Sequence, residues 1–333
     1  MTTIDQQAGG ASPVDFGSYG DYGDFRPPGK KPSAEFVRPP YPFRGRITAD
    51  GSSGYPAEPG RYHLYISWAC PWAHRTVIGR LLKRLENAIG MSVVDPLRDE
   101  RGWTFSGGAY SDPVNGFTFL SEAYDTTDPA YEGRFSVPVL WDTETGRIVN
   151  NESADILRMF STGFGDLASD EHDIYPQPHR SEIDALNARI YERVNNAVYR
   201  AGFSTDQKEY ESVVYGLFDE LDELDRRLSS RRFLFGAAPV ETDWRLFTTL
   251  VRFDAVYAVH FKCSLRRLVE YPNLWPYTRD LYQQPGIADT VRLDEIRNHY
   301  YRTHAVVNPS GLVAVLPDAD FTAPHGRAGL SGG

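Results

Sequence analysis

The sequence predicts an α/β domain followed by an all-α domain. Three observations predict it. An apolar, β-prone run passes directly into a helical pattern at Cys70, two further strands flank a tight turn near residue 144, and from Ser181 onward helical spacing takes over almost completely.

In chain order, Leu64 and Ile66 stand two apart, as a strand places them. After Cys70, Val77, Ile78, Leu81, Leu82 and Leu85 mark one helical face, and Pro71 fits a first turn because its missing N–H would be unpaired there anyway. Cys70 therefore sits where a strand ends and a helix begins. Unpaired backbone N–H groups and the positive end of the helix dipole favour a thiolate at such a place, with the cationic Arg75 and the titratable His74 close by. The plain alternative is a buried structural cysteine.

Met91–Asp95 reads as a second strand. The stretch 99–131 carries Trp103, Phe105, Tyr110, Phe117, Phe119, Tyr124 and Tyr131 among glycines and aspartates, either a functional loop or an insertion packed on the domain edge. Val137–Trp141 and Arg147–Asn150 flank Asp142–Gly146 as a hairpin, and Asn151-Glu152-Ser153 opens a helix marked by Ile156, Leu157 and Phe160. Strand, helix, strand, hairpin and helix around a reactive thiol is the order of a thioredoxin-like domain.

Beyond residue 180, Tyr210, Val213, Val214, Leu217, Phe218, Leu221, Leu224 and Leu228 hold helical spacing, with an acidic solvated face opposite. A second long helix is expected from Asp243 to Leu268, with Cys263 on the apolar face of Val259, and shorter helices over Trp275–Gln283 and Ala288–Tyr300. The expected organisation is a flexible arm (1–35), the thioredoxin-like domain with its aromatic insertion (36–170), the helical domain (171–316) and a flexible tail (317–333).

The chain has 333 residues, a net charge of −10 and only two cysteines. Without a basic run, nucleic acid and anionic membranes are poor partners. No apolar stretch is long enough for a membrane span, and no secretory signal is expected at the amino terminus. Two cysteines make no disulfide framework, so a reducing, cytoplasmic setting is expected. No zinc-spaced cluster and no glycine-rich phosphate loop is present, so neither a metal nor a nucleotide cofactor is expected.

Longer runs carry a family resemblance. They are Phe43-Arg44, Ile47–Gly51, Pro59–Tyr65 leading into Ala69-Cys-Pro-Trp-Ala-His-Arg75, Val137–Asp142, Ile148–Ser153, Val194–Tyr199, Asp243–Asp254, His260-Phe-Lys-Cys263, Tyr271–Trp275 and His299-Tyr-Tyr301. With them the chain resembles, over roughly residues 36–317, the glutathionyl-hydroquinone reductases, also called Xi-class glutathione transferases. The resemblance implies the glutathione transferase architecture, a thioredoxin-like domain followed by a helical one, and commonly a homodimer.

The resemblance also implies an activity: reduction of glutathionyl-hydroquinones, with glutathione as co-substrate. Cys70 would be the nucleophile, and with alanine at position 73 a second glutathione must resolve the mixed disulfide. Tyr199 would be the acid that protonates the leaving ring carbon, while Tyr257 and Tyr300 would point at the sulfur and favour its thiolate. The plain reading of each tyrosine alone is a half-buried gap filler. Val137, before a cis Pro138, would pair with the peptide of glutathione. Glu152 and Ser153 would hold its γ-glutamyl end, beyond plain N-capping, and Trp103, Arg134, Phe135 and Ser136 would complete the site. Two enzymatic variants share this chemistry: another small thiol in place of glutathione, or general deglutathionylation of small disulfides. From another class, a non-catalytic ligand carrier would keep the fold. Related transferases place Ser or Thr where this chain has Val240, so Glu241 or Thr242 is expected to cap that helix.

Overall fold

The computed structural model describes residues 41–99 and 101–330, so the expected arm at 1–35 lies outside the described residues. Strand β1 (Tyr62–Ile66) is buried along its whole length, because it lies inside a four-stranded sheet of order β2-β1-β3-β4. It pairs in parallel with β2 (Ile89–Val93) and antiparallel with β3 (Val139–Asp142), which forms a hairpin with β4 (Arg147–Asn150). The second strand thus begins two residues earlier than its apolar pattern predicts, with Leu64 opposite Met91.

Helix α1 (Pro71–Leu82) joins β1 to β2, α2 (Ser121–Thr127) lies in the aromatic insertion, and α3 (Ser153–Thr162) follows the hairpin. Helices α1 and α3 pack against each other at Gly79. A Cβ there would stand 2.5 Å from Leu157 Cδ1, so a larger residue would force the Leu157 side chain to move.

The helical part begins with α4 (Arg180–Ile190), which widens through a π turn (Tyr191–Asn195) into α5 (Ala197–Phe203). Helix α6 (Gln207–Arg227) is capped by the Asp206 carboxylate, which accepts the Glu209 N–H at 2.9 Å. Helix α7 (Glu241–Arg252) is almost wholly buried and forms the centre of this layer, with α8 (Leu274–Tyr282) and α9 (Leu293–Thr303) completing it. Among the described residues no helix is long and apolar enough to cross a membrane.

Three expectations are corrected. The second long helix does not reach Leu268. It passes into a π turn at Phe253–Tyr257, and Lys262 then takes a left-handed φ of 59°. Cys263 is therefore not helical, although it is buried as expected. Val259 is 58% exposed, because the π turn breaks the 3.6-residue period that placed the two on one face. Neither Glu241 nor Thr242 caps α7. The Glu241 carboxylate accepts from Arg158 and Asn187, and Asp243 reaches back to accept the Val240 N–H at 2.8 Å. The helix near Ala288–Tyr300 divides into a 3₁₀ turn (Ala288–Thr290) and α9.

The segment 317–330, expected as a flexible tail, forms no helix or strand but is held by several side-chain contacts, among them Gln283 donating to the Phe321 and Ala323 carbonyls. Phe321 packs on Trp275 and Tyr282, and the buried Arg327 donates to the carbonyls of Leu228, Arg231 and Arg232.

His63, on β1, gives the fold a pH dependence. Its Nε2 meets Ser92 Oγ at 2.8 Å, and burial lowers its pKa to about 4. Between its unfolded value near 6.5 and about 4, the unfolded chain takes up a proton that the folded chain refuses. Stability from this group is therefore complete above pH 6.5 and falls by up to about 3 kcal/mol as the pH drops through that window. Denaturation midpoints from pH 7 to pH 4.5 should fall accordingly, and less so in His63→Gln. An unchanged pH slope in that variant would refute the assignment.

Candidate active site

Cys70 is the N-cap residue of α1, in extended conformation, with its sulfur accepting the Ala73 N–H at 3.5 Å. Sγ also lies 3.6 Å from the Val137 carbonyl oxygen, and the Val137–Pro138 peptide is cis. The Val137 N–H has no hydrogen-bond partner among the described residues. The thiol thus sits between a buried strand and the helix it caps, faced by a backbone with a donor to offer.

Of the two titratable neighbours of the thiol expected from sequence, only one carries charge. His74 contributes no charge. Its Nδ1 receives a hydrogen bond from Arg252 Nη1 at 3.0 Å, so its proton must lie on Nε2, which donates to Thr290 Oγ1 at 2.8 Å. Burial and then the Arg252 charge push its pKa well below the usual range, and the ring is neutral. Arg75 is the cation that remains. It is only 2% exposed, lies 4.7 Å from the centre of the Trp72 ring, and has no ion pair or hydrogen bond among the described residues. Burial pulls its pKa to about 9, while the charges of Glu152 and Cys70 pull the other way. A buried guanidinium within electrostatic reach of Cys70 favours its thiolate.

The three singled-out tyrosines come together. Tyr300 Oη lies 2.6 Å from Tyr199 Oη and 3.1 Å from Tyr257 Oη, and all three side chains are fully buried. Tyr199 follows the π turn that leads into α5, Tyr257 closes the π turn after α7, and Tyr300 lies on α9. Phe261 fills the space between them, with its ring 5.4 Å from Tyr199, 5.7 Å from Tyr257 and 5.6 Å from Tyr300. A glycine at 202 makes room for it, since a Cβ there would lie 2.2 Å from Phe261 Cδ1. Trp72, two residues after the thiol, lies 6.4 Å from the Tyr199 ring, and Tyr257 is within electrostatic reach of Cys70. Burial raises the Tyr257 pKa, so it remains a protonated donor.

The remaining singled-out residues form the other walls. Glu152 is the N-cap of α3; its Oε1 accepts the Ala154 N–H at 2.9 Å and the Ser153 hydroxyl at 3.4 Å. Capping therefore engages one oxygen of the pair and leaves Oε2 outside those bonds. Trp103 is buried and stacks on His299 at 5.0 Å, which ties the aromatic insertion to the tyrosine side of the site. Arg134 and Phe135 are half-buried and lead with Ser136 into Val137. Tyr124 anchors this stretch, donating to the Ser136 carbonyl at 2.7 Å while accepting its N–H at 3.1 Å.

Three residues were not singled out from sequence: Tyr124, His299 and Arg252. The fully buried Arg252 donates to the carbonyls of Trp68 at 2.9 Å and Ala69 at 3.1 Å, the two residues before the thiol. Its signal was a charged side chain on the apolar face of α7, one turn after Thr248. His299 donates through Nδ1 to the Pro96 carbonyl at 2.7 Å. Among the described residues there is no group of three or more His, Cys, Asp or Glu placed to hold a metal.

Residues 69–162 match the glutathione S-transferase N-terminal domain family, and residues 207–280 match the C-terminal domain family. The glutathionyl-hydroquinone reductase YqjG of Escherichia coli is 48% identical over 307 residues, covering 90% of this chain and 94% of its own. The glutathionyl-hydroquinone reductase PcpF of Sphingobium chlorophenolicum is 47% identical, with 86% and 91% covered. The glutathione-bound structure of YqjG superposes with a TM-score of 0.83 over 86% of this chain and 96% of that one, at 50% identity. The Xi-class transferase of Natrialba magadii gives 0.84 over 86% and 88%, also at 50% identity.

Proposed function

Because the chain belongs to the Xi-class glutathione transferases, the family of the glutathionyl-hydroquinone reductases, we propose that it is an enzyme that reduces glutathionyl-hydroquinones to hydroquinones with glutathione. The observation that carries this reading is a single helix-capping thiol, Cys70, within electrostatic reach of a buried cluster of three phenols.

In the first step the Cys70 thiolate attacks the glutathionyl sulfur and the carbon–sulfur bond breaks. Its electron pair remains on the ring carbon, which takes a proton from Tyr199. Tyr257 and Tyr300 serve the sulfur side. In the second step a glutathione thiolate attacks the mixed disulfide, releasing glutathione disulfide and the Cys70 thiolate. Cys263 takes no part. It is buried in the core, and burial pushes its thiol pKa up.

For glutathione itself, the Val137 N–H is the donor that meets its peptide, and Glu152 Oε2 takes its ammonium. Ser153 with the start of α3 takes the γ-glutamyl carboxylate. Trp103, Arg134, Phe135 and Ser136 close the remainder of the site. A homodimer and a reducing, cytoplasmic setting, in which both free cysteines stay thiols, belong to the same reading.

Incubating the reduced protein with a glutathionyl-hydroquinone should add one glutathione to Cys70 by intact mass, with one hydroquinone released per chain. Added glutathione should then remove the adduct. A glutathione adduct without hydroquinone release would refute the ring chemistry, and the absence of both would refute the activity.

A further inference from the structure

The phenol cluster can be read one step further, by counting protons. This deepens the proposed function and rests on it. Three neutral phenols carry three protons. The two oxygen–oxygen contacts, 2.6 Å from Tyr199 to Tyr300 and 3.1 Å from Tyr300 to Tyr257, each need one. At most one proton is left to point out of the cluster.

Two duties compete for it. When Tyr257 donates to the sulfur, Tyr300 must donate to Tyr257 and Tyr199 to Tyr300, so Tyr199 has nothing to give. When Tyr199 donates to the ring carbon, the order reverses and the sulfur receives nothing. If both outer phenols pointed outward, Tyr300 would have one proton for two neighbours. One buried pair of oxygens would then face each other lone pair to lone pair.

We infer that Tyr199, Tyr300 and Tyr257 share a single transferable proton, directed to the Cys70 thiolate at rest and delivered to the ring carbon as that thiolate is consumed. Tyr300, whose oxygen contacts both of the others, is a positioning residue that holds the three phenols in one network, in which Tyr199 and Tyr257 also interact directly.

The chemistry balances without solvent. As the S–S bond forms, the sulfur loses its negative charge and its need for a donor. The ring carbon keeps the electron pair of the broken C–S bond and takes the proton of Tyr199. The Tyr199 phenolate then accepts from Tyr300, which accepts from Tyr257. In the second step the incoming glutathione thiol returns a proton to this phenolate as its sulfur attacks the glutathionyl sulfur of the mixed disulfide. Cys70 leaves with the S–S electron pair, and Tyr257 turns back to it. Across the cycle one glutathione thiol and the thioether sulfur of the substrate are joined as a disulfide, the ring carbon is reduced, and the hydrogen it gains comes from glutathione. Full burial of the three phenols supports this, because water does not compete for the proton. The groups around them include Phe261, Arg252 and Cys70 within electrostatic reach of Tyr257, His299 at 5.4 Å from the Tyr300 ring, and the hydrogen-bonded pair His260 and His304 beside that ring.

The test is a single turnover of the full-length, reduced protein with glutathionyl-1,4-hydroquinone and no free glutathione, in weak buffer with a pH indicator. Hydroquinone release, proton uptake and the infrared signature of tyrosinate are followed together. The expected result is one hydroquinone and one tyrosinate per chain without matching proton uptake, and loss of the tyrosinate when glutathione is added. One proton taken from solution per hydroquinone would overturn the inference and leave the activity standing. Release with neither uptake nor tyrosinate would also overturn it, because the proton would then come from the thiol or a histidine. No release at all would overturn both readings. In Tyr300→Phe the two outer phenols lose the oxygen that bridges them at 2.6 and 3.1 Å and keep only their weaker direct contact. That variant should release hydroquinone more slowly, take up one proton per turnover and show no tyrosinate; a retained tyrosinate without uptake would remove Tyr300 from the relay.

Discussion

Replacing Cys70 with serine should abolish turnover, with a loss on the order of 10⁴-fold or more, and leave the fold and glutathione binding intact. The two parts have separate physical causes. A serine hydroxyl is not ionised near neutrality and cannot form the mixed disulfide, so both half-reactions lose their nucleophile. Serine is nevertheless among the favoured N-caps, so the start of α1, where the sulfur now accepts the Ala73 N–H, keeps its acceptor. Glutathione affinity by calorimetry, the denaturation midpoint and the turnover rate should therefore part company in this one variant. Residual turnover above about a tenth of the parent rate would overturn the assignment of Cys70 as the nucleophile.

Replacing Arg252 with methionine should cost about 4 kcal/mol of stability and about tenfold in kcat/KM. The guanidinium makes four polar contacts, to the carbonyls of Trp68, Ala69 and Thr248 and to Nδ1 of His74. Removing it strands buried acceptors, each worth roughly 1–3 kcal/mol, partly relieved by relaxation. Methionine keeps the length and the helix propensity, which isolates the polar loss. The activity falls because the two carbonyls belong to the residues just before Cys70, so the loop that aims the thiol loses its anchor. Urea titration gives the first number and steady-state kinetics the second. Arg252→Lys should recover only part of each, because an ammonium cannot reproduce the planar fork. A loss below about 1 kcal/mol in the methionine variant would show that the loop is held by other contacts.

Legibility in the sequence followed the range of the interactions. The thiol at the β1–α1 junction and the amphipathic α6 were readable because their signals lie within one element: alternation that gives way to helical spacing, and a stripe held from Tyr210 to Leu228. The end of the helix that carries Tyr257 was not. A π turn inserts one extra residue into the period, and everything beyond it, Cys263 included, shifts off the face its spacing suggested. The capping of α7 was misread because Asp243 reaches back to a valine, a contact that no N-cap preference encodes. The protonation of the titratable His74 is not legible locally, because its tautomer is fixed by Arg252 and Thr290, which lie 178 and 216 residues away. The tyrosines had no local signal among the 20 in the chain. Only the resemblance singled them out, and the proton count they impose required their distances.

The chain of contacts from Arg252 through His74 to Thr290 also bears on recombination. Thioredoxin-like and helical halves are easily imagined as interchangeable cassettes, joined wherever a linker allows. Here the helical half supplies the arginine that fixes the nucleophile's loop, and it receives the histidine proton on a threonine of its own. A crossover between two such proteins that exchanged Trp68–His74 without Arg252 and Thr290 would inherit a thiol with no stable aim. The seam of this molecule therefore runs through its side chains, and a working hybrid has to move these residues as one block.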